Sequence, residues 1–378
     1  MATVERPAQV EVNLSLRNSF DLTMELSGKR HSLAVVEPGN FGHDVPGAAQ
    51  DLLRTLMVAH LVAPHFPKII KTNFGVEFPV LLNELYRYYD HKIPRIIKSP
   101  DQVRPTYILP ARGELSQIDN ASAHSGGLDS VYRLVQFLER GERVLAVHLR
   151  NLNPKGNYAE ANASRKQCAF WNIPYEQIRL KNSSGSLGFD TMKTRDLLLS
   201  LITAITASPY GVRRVVIEGG MSFDPKDAHF SEYAPAWEMF NGILKDAGLD
   251  LQVEGIDPGD IETVGEILRL ERELGLEILP LVQNCFSAPF QVPNNRRKWE
   301  RETPVLTKNS PEHWCGSCLK CRRMTLGRIF YQDPRLKNIS TDEVGFFVTD
   351  TFDWMRKYPH NRDLLSQSFY QHLNSLRG

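Results

Sequence analysis

Residues 125–130, Ser125-Gly126-Gly127-Leu128-Asp129-Ser130, have the types and spacing to cradle phosphate. Two adjacent glycines let the backbone turn sharply and bring several N–H groups towards one point. The hydroxyls of Ser125 and Ser130 add donors, and Asp129 has two roles open to it: holding a magnesium ion or capping the next helix. Such a nest can hold the pyrophosphate that departs when ATP gives up AMP. A second chemical cluster is Cys315-Gly316-Ser317-Cys318-Leu319-Lys320-Cys321. Thiols at this spacing converge on one ion from a tight loop, and Cys285 upstream completes a tetrahedral zinc set. His313 is the alternative fourth ligand, and an iron–sulfur cluster held by three cysteines is the alternative to zinc. Cys168 stands alone and is expected to be a buried small hydrophobe.

The elements that must hold these residues follow from periodicity. Leu128, Val131, Leu134, Val135 and Leu138 fall on one face of a helix that Gly141 stops. Short apolar strands at 144–149, 175–180 and 214–217 alternate with helices at about 158–171, 194–207, 234–247 and 260–274. A last apolar run, 278–282, reads as a strand leading to Cys285. This alternation predicts an α/β fold, a doubly wound parallel sheet, with ligands outside the carboxyl ends of the strands. Residues 118–124, just before the glycine loop, make a poor hydrophobic strand, so that strand is either short or partly covered by the N-terminal segment. Residues 1–118 read as an accessory α+β domain, with strands at 10–16 and 20–26, a turn at 17–19, and helices at 47–63 and 76–89. They carry no catalytic signature, and His60, His65 and His91 are expected on the surface or in packing. The ATPase domain would span 119–335, and 336–378 would be a helical extension. The densest basic stretch, 294–302, is expected to be a solvated loop, with a contact to a partner protein or an anionic ligand as the alternative.

Bulk composition narrows the partners. The 378 residues carry 45 Lys+Arg against 44 Asp+Glu, so no global field draws in nucleic acid or an anionic membrane. No apolar run is long enough to span a bilayer, and the N-terminus lacks the pattern of a signal peptide. Three cysteines within seven residues suit a metal site in a reducing compartment, so a cytoplasmic location is expected.

The string 125–130 matches the SGGxDS signature of PP-loop nucleotide-binding proteins. With one cysteine and then CxxCxxC some 150 residues later, it resembles the QueC family, 7-cyano-7-deazaguanine synthases, over about 120–330. Thr194-Arg195-Asp196-Leu197 is similar to the family's arginine-led helix start, and Asn284-Cys285-Phe286 to its Ser-Cys-Tyr. Other positions depart from the family. The substrate segment here runs Asp227-Ala228-His229-Phe230-Ser231-Glu232-Tyr233, the family's lysine is Val264, and 29 residues separate Cys285 from Cys315. These departures, with the added N-terminal region, resemble the QueC-like branch of bacterial anti-phage operons, the QatC type.

That resemblance implies ATP, Mg²⁺ and a structural Zn²⁺ on Cys285, Cys315, Cys318 and Cys321. It implies adenylation of a 7-deazaguanine carboxylate and transfer to an amine, on a partner protein of the same operon (QatB-like). Ammonia as acceptor, giving 7-cyano-7-deazaguanine for queuosine synthesis, is the alternative, and a non-catalytic nucleotide-binding scaffold is another. Ser125, Gly126, Gly127, Leu128, Asp129 and Ser130 are expected on the phosphates, with Arg195 and more weakly Lys193 as further contacts. Adenine is expected along 147–150, which includes His148, and the substrate at Asp227 and Tyr233. A tRNA thiolase is a rival that the neutral charge disfavours. An amidotransferase is another, but position 2 is Ala2 rather than a glutaminase cysteine.

Overall fold

The structure is a computed structural model. It describes residues 7–15, 20–37, 45–100, 102–104, 118–150, 158–183, 192–218, 222–226, 228–256, 261–283, 285, 291–358 and 367–377. The expected turn at 17–19 and Asp227 lie outside these residues. In chain order the first elements are β1 (Gln9–Leu14), β2 (Asp21–Leu26), β3 (Lys29–Glu37), α1 (Gly47–Val62), β4 (Ile69–Thr72), α2 (Pro79–Tyr88) and β5 (Arg95–Lys98). Then come β6 (Asn120–Ala123), α3 (Leu128–Glu139), β7 (Val144–Arg150), α4 (Tyr158–Phe170), β8 (Tyr175–Asn182), α5 (Met192–Ala207) and β9 (Arg214–Glu218). The chain continues through α6 (Ala234–Asp246), β10 (Gln252–Ile256), α7 (Glu262–Leu274), α8 (Val292–Glu300) and α9 (Pro304–Lys308). It ends with α10 (Leu319–Phe330), α11 (Thr341–Lys357) and α12 (Gln367–Ser375).

The chain divides into two compact units. The first comprises Met1–His124, Glu142–Ala161 and Cys168–Asp257, and it contains one ten-stranded sheet in the order β10-β9-β6-β7-β8-β3-β2-β1-β4-β5. Within it, β8-β7-β6-β9-β10 are all parallel, as the α/β reading expects. The strand order reverses between β6 and β9. β6 is short and built of Asn120-Ala121-Ser122-Ala123, all buried, because small residues suffice for a strand flanked on both edges. The segment expected as an accessory domain is α+β in content, and its strands extend this sheet: β3 runs antiparallel to β8, then β2, β1, β4 and β5 follow. No periodic signal reports that pairing.

Helices α1 and α5 pack together in this unit. Both are apolar around most of their circumference, which suits helices enclosed on several sides. Leu52, Leu53, Leu56 and Leu61 from α1 are wholly buried, as are Leu197, Leu198, Leu201 and Ile205 from α5. Each such side chain contributes about 1.5–3 kcal/mol over the exposed state. Between the helices His60 Nδ1 lies 3.0 Å from Thr194 Oγ1. Burial lowers the His60 pKa from 6.5 to about 4, and the Arg195 charge adds to the shift. The unfolded chain takes up this proton near pH 6.5. The folded chain does so only near pH 4. The stabilisation is therefore present above pH 6.5 and declines by about 3 kcal/mol on the way down to pH 4. Urea midpoints measured from pH 7 to pH 4.5 should fall, and His60→Gln should flatten that fall. An unchanged slope in the variant would contradict the assignment.

The second unit comprises Ser125–Gly141, Asn162–Gln167 and Pro258–Gly378. Its helices close over Ile261, Trp299, Leu306, Leu319, Leu326, Phe347, Phe369 and Leu373. Helices α7 and α10 approach so closely that a Cβ on Gly327 would meet the Val264 Cβ at 2.6 Å. Val264 is fully buried, so the lysine that the resembled family carries there has no room here. The run 278–282 is not a strand. Leu279–Leu281 forms a single 3₁₀ turn, since Pro280 has no N–H to give a ladder. The basic stretch 294–302 is likewise not a loop. It lies largely in α8, with Trp299 buried, and the Arg296 guanidinium donates to the carbonyls of Thr307, Ser310 and Pro311.

Candidate nucleotide loop and metal centre

β6 ends at Ala123, and two residues later the chain enters the glycine loop. The neighbouring parallel strand β9 ends at Glu218. In open α/β sheets, ligands sit outside the carboxyl ends of the strands where the order reverses, here between β6 and β9.

Gly126 adopts φ +81°, a conformation costly for any residue with a Cβ. The two serines brace the turn from within. Ser130 Oγ accepts from Ser125 N at 3.2 Å and donates to the Gly127 carbonyl at 3.0 Å. Ser125 Oγ accepts from Gly127 N at 3.2 Å and lies 3.1 Å from Ser130 Oγ. Helix α3 starts directly after the loop, with Gly127 at its N-cap and no side-chain cap. Asp129 lies in the first turn of α3, where a carboxylate is favoured by the helix dipole. An uncapped helix start with a positive dipole end favours an anion.

The loop is also held from outside by residues of its own unit. The Gly126 carbonyl accepts from Gln167 Nε2 at 3.1 Å and from Gln283 N at 2.9 Å. Gln167 Nε2 also donates to the Leu281 carbonyl at 2.7 Å. The strap 278–283 is fixed at its start by Glu271 Oε1, which accepts from Ile278 N and Leu279 N, both at 2.8 Å. At its end, the Val282 carbonyl accepts from Trp314 Nε1 at 2.9 Å and His313 Nε2 at 2.8 Å. None of these residues carries a sequence signal for the loop, apart from the adjacency of Trp314 to Cys315.

Cys285, Cys315, Cys318 and Cys321 come together, with all four Sγ atoms within 4.8 Å of one another. Two Sγ–Sγ distances, Cys285–Cys318 and Cys315–Cys321, are 3.9 Å. A tetrahedron with Zn–S bonds of about 2.3 Å has edges of about 3.8 Å, so the spacing fits one tetrahedral ion. An iron–sulfur cube would interpose its own atoms and hold the thiolates farther apart. Gly316, at φ +78°, makes the turn of the knuckle, and Cys318 N donates to Cys315 Sγ at 3.3 Å. Contact with Cys315 raises the Cys285 pKa, but hydrogen bonds from Cys318 and Cys321 bring it down to about 7. Those two thiols are pushed up, first by Cys285. Cys285 therefore ionises readily while Cys318 and Cys321 resist, a resistance that a bound cation would reverse. His313, the alternative ligand, has its Nε2 committed to the Val282 carbonyl instead. Cys168 is buried and its pKa is pushed up to about 12, so it is an inert thiol.

The remaining expected residues lie in the first unit. His148, on β7, directs Nδ1 at the His124 carbonyl at 2.9 Å, which places the proton on Nδ1. Burial lowers its pKa, so the ring is neutral and Nε2 is an acceptor with no protein partner among the described residues. Arg195, in the first turns of α5, pairs through Nε with Asp196 Oδ1 at 2.7 Å. Lys193 Nζ lies over the rings of Phe66 and Tyr89, at 4.9 Å and 5.1 Å from their centroids. Tyr233 packs against Tyr88, with ring centroids 5.1 Å apart. The Tyr88 hydroxyl donates to the Ala228 carbonyl at 2.7 Å, and Tyr89 Oη accepts from Phe230 N at 3.0 Å. The segment after β9 is thus gripped by α2 and the residue that follows it. Sequence reading missed these tyrosines because an aromatic pair on an amphipathic helix looks like ordinary core.

No family model matches the chain, and no curated protein does either. Among solved structures, the chain is similar to the U34-tRNA thiolase NcsA from Methanococcus maripaludis, determined with its [4Fe-4S] cluster. The match covers 67% of this chain and 80% of that chain, at 14% identity and a TM-score of 0.29. At that level the likeness adds nothing to what the strand order already gives. Among the described residues, no helix is long and apolar enough to cross a membrane.

Proposed function

We propose that the protein uses ATP to adenylate a 7-deazaguanine carboxylate and passes the acyl group to an amine, on a partner protein of the QatB-like kind, in anti-phage defence. The observation that carries this reading is the glycine loop braced by its own two serines, opening a helix with no side-chain cap at its N-cap. ATP would lie with its phosphates over Ser125–Ser130. The substrate carboxylate oxygen attacks the α-phosphorus and the bond to the β-phosphate oxygen breaks, giving acyl-AMP and pyrophosphate. Backbone N–H groups at the start of α3 stabilise the charge growing on the departing pyrophosphate. Asp129 would hold Mg²⁺, which neutralises phosphate charge when bound. Arg195 is assigned to a further phosphate contact, and the neutral His148 Nε2 to accepting from the adenine amine. Tyr233, and Asp227 beside it in sequence, are assigned to the substrate. The amine then attacks the acyl carbon, losing a proton and releasing AMP with the former carboxylate oxygen. No protein nucleophile is required.

Zn²⁺ on the four cysteines is assigned a structural role, because its ligand set is complete and leaves no open position. The test is mass spectrometry of a protein encoded beside this one, co-expressed with it and supplied with 7-carboxy-7-deazaguanine. A covalent addition of deazaguanine size on an amine supports transfer to protein. Formation of 7-cyano-7-deazaguanine from ammonia with no protein adduct would replace that acceptor. Tight association with neither product would leave only the scaffold.

A further inference from the structure

The strap 278–283 has the loop at one end of its hydrogen bonds and the cysteine site at the other, all within one unit. The Gly126 carbonyl is reached from two directions, by the Gln167 amide and by Gln283 N. Gln167 is wholly buried, and its Nε2 spans the Gly126 and Leu281 carbonyls, tying loop to strap. Cys285 follows Gln283 by two positions. On the other side Trp314, next to Cys315, hydrogen-bonds the Val282 carbonyl. The chain of contacts therefore runs from Cys315 through Trp314, Val282 and Gln283 to Gly126.

We infer that Gln167 is a positioning residue for nucleotide binding, and that the cysteine-bound metal orders the nucleotide loop through the 281–283 strap. The carbonyl of Gly126 belongs to the same peptide unit as the Gly127 N–H. Fixing that carbonyl holds the Gly127 N–H on Ser125 Oγ and so fixes the turn that presents the loop's other donors, whereas a flipped peptide would break this brace. A metal on Cys285 and Cys315 clamps both flanks of the strap at once. Loss of the ion would release Val282 and Gln283 and leave Gly126 with a weaker hold. This inference rests on the reading of 125–130 as the ATP loop.

The experiment is calorimetric binding of a non-hydrolysable ATP analogue to full-length protein, with metal content and melting temperature measured on each sample. Gln167→Met keeps the volume and removes the donors. It should weaken analogue binding about tenfold, the worth of one to two buried hydrogen bonds, with the metal retained. The KM for ATP should rise while the KM for the carboxylate does not. Trp314→Phe removes only the indole donor to Val282 and should weaken the analogue several-fold from a residue outside the loop. Gln167→Asn, with a shorter amide, should recover part of the affinity. Unchanged analogue affinity in both Gln167→Met and Trp314→Phe, with wild-type protein binding the analogue, would overturn the inference alone. Absence of analogue binding by wild-type protein would overturn the ATP reading together with it.

Discussion

Cys321→Ser is expected to strip the bound ion and unfold the second unit. Cys321 is 1% exposed at the start of α10, whose Leu319 and Leu326 belong to that unit's core. A structural zinc contributes about 10–16 kcal/mol to small domains at neutral pH. That is comparable with or larger than the whole stability margin of a domain, about 5–15 kcal/mol. Serine is a poor zinc ligand, and its hydroxyl would sit buried beside three thiols that cannot satisfy it. Elemental analysis should find one zinc per wild-type chain and almost none in the variant, with helical circular dichroism falling in parallel. Cys168→Ser is the control and should keep the metal. Stoichiometric iron and acid-labile sulfide in the wild-type protein would contradict the single-ion assignment and favour the thiolation rival.

The second large effect is expected at the loop. Ser130→Ala removes the hydroxyl that links Ser125 N to the Gly127 carbonyl. Asp129→Ala removes the first-turn carboxylate assigned to Mg²⁺. Each should lower pyrophosphate release from ATP by at least about a hundredfold, the scale found when one preorganised group facing transition-state charge is deleted. Ser130→Ala should lower the melting temperature modestly, because Ser130 is buried and bonded on both sides. Equal pyrophosphate release by wild type and Asp129→Ala would remove Asp129 from the mechanism.

The sequence showed the glycine loop, the helix it opens and the four cysteines because each depends on local spacing. Strands β7, β8 and β9 were legible for the same reason. β6 was hard to read because its four residues are small, and what makes them a strand is the pair of neighbours β7 and β9. The run 278–282 looked like a strand because a five-residue apolar run has no distinguishing period, and Pro280 decided against it. The partnership of β3 with β8 joins residues about 150 apart, and neither strand's pattern names its partner. Gln167 was invisible because a glutamine on a helix gives no sign that its amide donates to carbonyls of distant segments. Local chemistry was written in the sequence, while the groups that orient it were not.

If attack of a carboxylate splits ATP between its α- and β-phosphates, an oxygen of that carboxylate must end in AMP. The direct measurement uses 7-carboxy-7-deazaguanine labelled with ¹⁸O in the carboxylate, supplied with ATP, Mg²⁺ and an amine acceptor. AMP carrying one ¹⁸O atom, together with unlabelled pyrophosphate, is the expected result. Formation of ADP and phosphate, or AMP without the label, would contradict it.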